Sequence, residues 1–368
     1  MSDGILPIQA LRHAADNGWI SGPPLADGQL QPASLDLRLG TVAYRVQCSF
    51  LPQERSVEAV LPELLMYQVD LAKGGILERG NVYLIPLLEC LNLPSHIYGR
   101  TNPKSSTGRL DIFTRVIADR SRRFEEIPAG YRGRLYLEVV PRSFTVRVEA
   151  GLCLNQLRLF TGQARMDDAE LGQLYRAEQL LYDEHGQPIA ADATIIRDGL
   201  YMSVDLKGEQ SDGVVGYVAR RNSAVVDLMR TGAHPQADYW DPIRAGRGGT
   251  VILEPEEFYI FASRERVRVP GHVAAEMVEY DAGSGELRTH YAGFFDSGFG
   301  YGAKGEVHGT RAVLEVRPHD VPFRIEHGQP CFKLVYERLT EAPEYTYGRG
   351  SHYHQQGLAL SKHFYRVP

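Results

Sequence analysis

Between Asn102 and Leu110 the chain reads NPKSSTGRL, which puts Lys104, Ser105, Ser106, Gly108 and Arg109 within six residues. Two short hydroxyls flanked by two cations suit a phosphate chain, because the guanidinium fork of Arg109 can engage two phosphate oxygens at once. Taken by itself, the same composition also describes a solvated turn. Glu138 is the second residue able to do chemistry. It interrupts the apolar run Leu135-Tyr136-Leu137-Glu138-Val139-Val140, where strand alternation places it on a face with Tyr136 and Val140. A half-buried carboxylate has a raised pKa and can serve as a general base near neutral pH. Arg120, at the end of RVIADR, is its expected partner; the competing reading is a glutamate on the solvent face of an amphipathic strand.

Metal-assisted hydrolysis would need a different set of residues. Zinc deaminases of nucleobases carry HxE followed by PCxxC. The Pro330-Cys331 pair continues as Phe332-Lys333-Leu334, and Cys48, Cys90, Cys153 and Cys331 are widely spaced. His352 and His354 have no cysteine or carboxylate at ligand spacing. The expectation is chemistry without protein-bound zinc and with reduced thiols.

The elements that must position these residues are mostly strands. Ile8, Leu11, Ala14 and Ala15 recur at helical spacing before Gly18, which predicts a short helix over residues 7–17. From Leu35 to about Phe160 short alternating runs punctuated by Gly and Pro predict an all-β region, and this texture returns from Thr194 to Leu339. Residues 165–182 place Leu171, Leu174, Ala177, Leu180 and Leu181 on one helical face and predict a connecting helix. A polar, aromatic tail follows.

The two β regions repeat one another. ILERGNVYLIPLLECLNLPSHI (from Ile76) aligns without gaps on ILEPEEFYIFASRERVRVPGHV (from Ile252). LYLEVVPRS aligns on AVLEVRPHD, VEAGLCLNQLRLF on IEHGQPCFKLVYE, and ASLDLRL on MSVDLKG. Collinear blocks of this kind predict two copies of one β-domain, each a sandwich or distorted barrel. The expected divisions are copy one over 1–165, a linker over 166–190, copy two over 191–340 and a tail over 341–368. Glu315 is the counterpart of Glu138, with Asp296 upstream of it, whereas AGSGELR (282–288) lacks the paired serines of the first loop. A net charge of -6 without Lys/Arg runs argues against a nucleic-acid partner. No stretch approaches the roughly 18 apolar residues of a membrane span, and a cytosolic protein is expected.

These motifs together resemble the dCTP deaminases of the trimeric dUTPase superfamily, in their long, duplicated bacterial form. PASLDLRLG is similar to an early strand motif of the form PxSxDxRLG, and KSSTGR to the family's Arg-Ser-Ser-x-x-Arg phosphate loop, with Lys104 for the first arginine. Ala118-Asp119-Arg120 resembles the Ala-His-Arg turn, LYLEVVPRS the strand of the catalytic glutamate, and YHQQGLALSKHF the Gln-Gln-Gly tail.

The resemblance implies a tandem pair of dUTPase-like distorted β-barrels of β-clip type. It also implies hydrolytic deamination of dCTP to dUTP, with Mg²⁺ carried by the triphosphate. Glu138 would take a proton from a water poised at C4, and Ser105 with the Ala118 carbonyl would hold that water. Arg109 and Arg120 would orient the base site. Lys104, Ser106, Tyr353, Gln355 and Gln356 would contact the nucleotide, with Asp296 and Glu315 in a pocket of their own kind. Family sites lie between neighbouring domains, and the assembly implied is a homotrimer. The family's Asp for the sugar 3′-hydroxyl is missing from RSRRFEEIPAG but present as Asp296 in FFDSGF, so which pocket works stays open. The rival readings are a dUTPase, a bifunctional enzyme releasing dUMP and pyrophosphate, and a nucleotide-binding protein without activity.

Overall fold

The computed structural model describes residues 2–209, 211–278, 293–302, 305–318, 320–348 and 356–366, with the backbone alone at 287–289. The chain is mainly β, as its alternating patterns predict. In the first half one sheet runs Leu65–Asp70, Val42–Val46, Val82–Asn92, Arg132–Pro141, Ile112–Ala118. The second half has a sheet in the corresponding order: Trp240–Arg244, Val214–Ala219, Tyr259–Val267, Thr310–Pro318, Leu287–Thr289. A second sheet in each half shows the same correspondence. Leu35–Arg38, Cys153–Thr161, Ile97–Pro103 and Glu126–Ile127 match Leu200–Ser203, Pro330–Arg338, Val273–Val278 and Phe294–Phe295.

Register bears out three of the four sequence blocks and moves the fourth. Glu138 lies opposite Leu84, and Glu315 opposite Ile260, each displaced by the offset the blocks require. In the early strand, however, Leu39 bridges Leu87 while Val204 bridges Ser263. Leu39 therefore corresponds to Val204, and the pairing of ASLDLRL with MSVDLKG is four residues out of register. A shared Ser-x-Asp-Leu spelling outweighed strand pairing in the sequence; the ladder hydrogen bonds decide otherwise. Asp36 and Asp205 are not counterparts.

The N-terminal helix spans Ile8–Asp16 and buries Ile8, Leu11 and Ala14, with Gly18 at φ 73° just past its end. The connecting helix is shorter than its pattern, Asp168–Glu178, because Asp167 closes a capping box with Glu170 and Gln179 turns left-handed at φ 49°. Each half has its own apolar core, and Tyr239, Trp240, Phe258 and Ile260 of the second half pack into the core of the first. Buried charge also joins the halves. Arg158, fully buried, donates to Glu337 at 3.2 Å, Asp296 at 3.3 Å and the carbonyls of Ala275 and Phe295 at 3.0 Å. Arg317 pairs with Asp111, which also accepts from Ser143 at 2.6 Å. No helix among the described residues is long and apolar enough to cross a membrane.

Candidate functional site between the repeats

The strand Ile97–Pro103 ends at Pro103, and the next residues turn sharply. Lys104 caps a single helical turn, Ser105–Gly108, with Thr107 and Gly108 both donating to its carbonyl, at 2.8 and 3.0 Å. This turn presents Lys104, Ser105, Ser106 and Arg109 to a cleft of about 450 Å³. The opposite wall comes from the second repeat. Along Thr310–Pro318, alternation sends Val313 and Glu315 to the cleft while Ala312, Leu314 and Val316 enter the core. Asp296, Phe295 and Phe299 complete that wall.

The two glutamates that sequence alone makes equivalents therefore have different surroundings. Glu315 is 7% exposed and lines the cleft. Burial pushes its carboxyl up to about 8, with the guanidinium of Arg109, from the other repeat, opposing the rise. Glu138 is 2% exposed and does not line this cleft. It accepts from Arg115, its direct neighbour in the adjacent strand, at 3.0 and 2.6 Å. The guanidinium of Arg115 lies 3.6 Å from the Phe124 ring and donates to Ser49 at 2.7 Å.

The expected partnership of Glu138 with Arg120 is corrected. Arg120 sits past the strand end at φ 58° and is exposed, and the guanidinium paired with Glu138 is that of Arg115. Ala118 is buried and also stands outside the cleft. In the second half Gly293 lines the cleft. Asp119 of the same turn accepts at 2.8 Å from the amide of Val57, the first residue of the Ser56-capped helix Val57–Leu64.

Asp296 is buried and its carboxyl is raised by that burial, against the pull of Arg158. Lys104 is ion-paired with Asp36, whose own carboxyl is raised by burial. The tail closes the cleft within the same chain. Gln356 lines it and donates to the Arg311 carbonyl at 3.3 Å. Arg109 donates to the Ala359 carbonyl at 3.1 Å, and Ser361 to the Ser106 carbonyl at 3.0 Å. Upstream, Tyr347 donates its amide to the Ser297 carbonyl at 2.7 Å, beside Gly298, where a Cβ would meet Thr346 at 2.5 Å. Tyr353, Gln355, His352 and His354 lie outside the described residues, as do positions 282–286 of the second loop.

Sequence reading missed three groups: Arg115 as the partner of Glu138, Arg158 as the support of Asp296, and Lys362, which lines the cleft from the tail. For Arg115 a signal existed, since strand pairing across Ile112–Ala118 and Arg132–Pro141 places it opposite Glu138. Arg158 and Lys362 reach across the repeats, where no local pattern speaks.

Two domain models match: the 2′-deoxycytidine 5′-triphosphate deaminase N-terminal domain over residues 2–163 and its C-terminal domain over residues 167–364. A dCTP deaminase, dUMP-forming, of Corynebacterium jeikeium is 28% identical over 181 residues, covering 48% of this chain and 93% of the relative. A dCTP deaminase of Sulfurisphaera tokodaii is 24% identical, covering 40% of this chain and 74% of the relative. The crystal structure of 2′-deoxycytidine 5′-triphosphate deaminase from Agrobacterium tumefaciens superposes with a TM-score of 0.86 at 44% identity, covering 94% of this chain and all of the other.

Proposed function

Because the chain belongs to the 2′-deoxycytidine 5′-triphosphate deaminase family, we propose that its inter-repeat cleft hydrolyses dCTP to dUTP and ammonia with Glu315, not Glu138, as the general base. One observation carries this reading: the phosphate-loop residues of one repeat, Glu315 and Asp296 of the other, and Gln356 of the tail line a single cleft. The repeats are read as a tandem duplication of a dUTPase-like distorted barrel, so that a site between two domains is built inside one chain.

In this reading Lys104, Ser105, Ser106 and Arg109 hold the triphosphate. Asp296, fixed by Arg158, accepts from the sugar 3′-hydroxyl. Glu315 takes one proton from the water that attacks C4 of cytosine and delivers it to N3, giving a tetrahedral C4 hydroxyl adduct. It then carries the proton of that hydroxyl to the amine, so the C4 carbonyl forms as the C4–N bond breaks and ammonia leaves. A carboxylate desolvated this far is a stronger base than an exposed one when ionised. Lys104, Arg109 and the serines suit phosphate oxygens directly, and Mg²⁺ is read as entering with the substrate, held by phosphate oxygens and water.

The relatives named dUMP-forming keep a second hydrolytic step as the competing product reading. One assay separates these: zinc-stripped protein with dCTP and Mg²⁺, following ammonia and nucleotides together. Equal ammonia and dUTP, lost in Glu315→Gln, is the expected result. Ammonia with dUMP and pyrophosphate would move the product to dUMP, and no ammonia would overturn deamination. Association into a trimer is a separate proposal, tested by sedimentation.

A further inference from the structure

The two large sheets meet different neighbours on equivalent faces. Tyr44 lies opposite Leu84 in the first half, and Tyr217 opposite Ile260 in the second. Glu138 also lies opposite Leu84, and Glu315 opposite Ile260, so these positions correspond. Tyr136 and Val313 each stand two residues before the glutamate, on its own face. In the second half Tyr217, Ile260 and Val313 are buried in the core of the first half. In the first half Leu84, Tyr136 and Tyr44 pack instead against Phe50, Val57, Leu61 and Leu64.

Those four residues belong to the connection between Val42–Val46 and Leu65–Asp70, residues 47–64, which folds back over its own sheet. Ser49 accepts from Arg115 at 2.7 Å, and Glu58 from the Tyr136 hydroxyl at 3.1 Å. The Gln53 amide donates to the Ser121 carbonyl at 3.1 Å, and the Arg120 amide to the Arg55 carbonyl at 3.0 Å. The connection between the corresponding strands of the second half, residues 220–239, crosses to the first half. Its Val226–Asp227 pairs in parallel with Val146 and Arg147, and its Leu228 and Tyr239 are buried in the first half's core.

The repeats thus pack head to tail, with the glutamate face of the second sheet set on the first repeat. A heterologous contact of this kind propagates until something closes it. One further step would set the glutamate face of the first sheet on another chain, but residues 47–64 occupy that face and bury Leu84, Ile117 and Tyr136.

We infer that residues 47–64 are an end cap: they cover the first sheet where a repeat of a second copy would dock, and they shut the Glu138 face to any phosphate loop. Resting on the reading that nucleotide binds between repeats, each chain then holds one nucleotide, and self-association uses other surfaces. The physical reason is the one that requires capping units at the ends of stacked repeat arrays, where an apolar face has no neighbour.

The test uses the full chain with Mg²⁺ and α,β-imido-dUTP, which can be neither deaminated nor cleaved between its α and β phosphates. Calorimetric titration of wild type is expected to give one nucleotide per chain, and two per chain overturns the cap. Leu61→Asp combined with Leu64→Asp places two charges beneath the cap, and melting curves establish that the variant folds. Sedimentation should then show reversible self-association at least about tenfold stronger than wild type, while kcat/KM for dCTP changes by less than about twofold. Association no stronger than that of wild type overturns the assignment as well. If the double variant does not fold, Leu61→Ser is the milder opening, with a shift expected in the same direction. Wild type that binds no nucleotide would remove the nucleotide reading, and sedimentation alone would then decide the cap.

Discussion

Arg115 donates to one oxygen of Glu138 from two nitrogens, at 3.0 and 2.6 Å, and so ties up in the first repeat the carboxylate whose counterpart in the second, Glu315, opens to the cleft. The two glutamates occupy equivalent register positions, and their neighbours separate them. Glu138 is part of an ion pair, while the carboxyl of Glu315 feels the guanidinium of Arg109 from the other half.

That contrast is tested by two matched substitutions. Glu315→Gln is expected to lower kcat by at least about a thousandfold with dCTP still bound. Glu138→Gln should keep kcat within a few-fold and instead cost about 1–3 kcal/mol of stability, because it leaves the quarter-exposed Arg115 without its charge partner. Steady-state rates and urea unfolding of both variants measure this, and the reverse pattern would return the base role to Glu138.

The raised carboxyl of Glu315 predicts a pH profile. Only its ionised form accepts a proton, so kcat/KM should rise about tenfold per unit of pH until about 8 and then level. Stability runs the other way. The folded value lies above the ordinary 4.5, so the contribution of this group is full below about 4.5 and is lost as pH rises through about 8. Glu315→Gln should therefore melt above wild type at pH 8–9 and lose that advantage toward pH 5, which thermal scans at both ends will show.

Arg158 serves both docking and the site, since it contacts Glu337 and Asp296 of the second repeat from a strand of the first. Arg158→Met leaves buried Asp296 without its guanidinium partner and Glu337 with Arg100 alone, and is expected to cost about 3–5 kcal/mol. Where folded protein remains, KM for dCTP should rise because Asp296 loses its support.

The aromatic seat of the tail offers a milder perturbation. Phe364→Ala removes the ring from Phe144, Tyr239 and Trp240, and should cost about 2 kcal/mol of local stability while raising KM for dCTP. Faster proteolytic cleavage near the C-terminus, suppressed by added nucleotide, is the accompanying readout.

Sequence alone determined the strand texture, the repeat, the KSSTGR loop and the polar tail, because these are written in local periodicity and in residue types close together in the chain. It could not choose between Glu138 and Glu315, since both sit in the same Leu-Glu-Val spelling on equivalent strands. What distinguishes them is whether the guanidinium acting on them comes from the adjacent strand, as Arg115 does, or from the other repeat, as Arg109 does. The early strand was likewise misaligned by four residues, because a short shared spelling does not fix hydrogen-bond register. Tail placement over the loop of the first repeat was decided by contacts such as Ser361 with Ser106 and Arg109 with Ala359. Such contacts join residues far apart in the chain through buried hydrogen bonds and charge, and these acquire their partners only when the two repeats pack together.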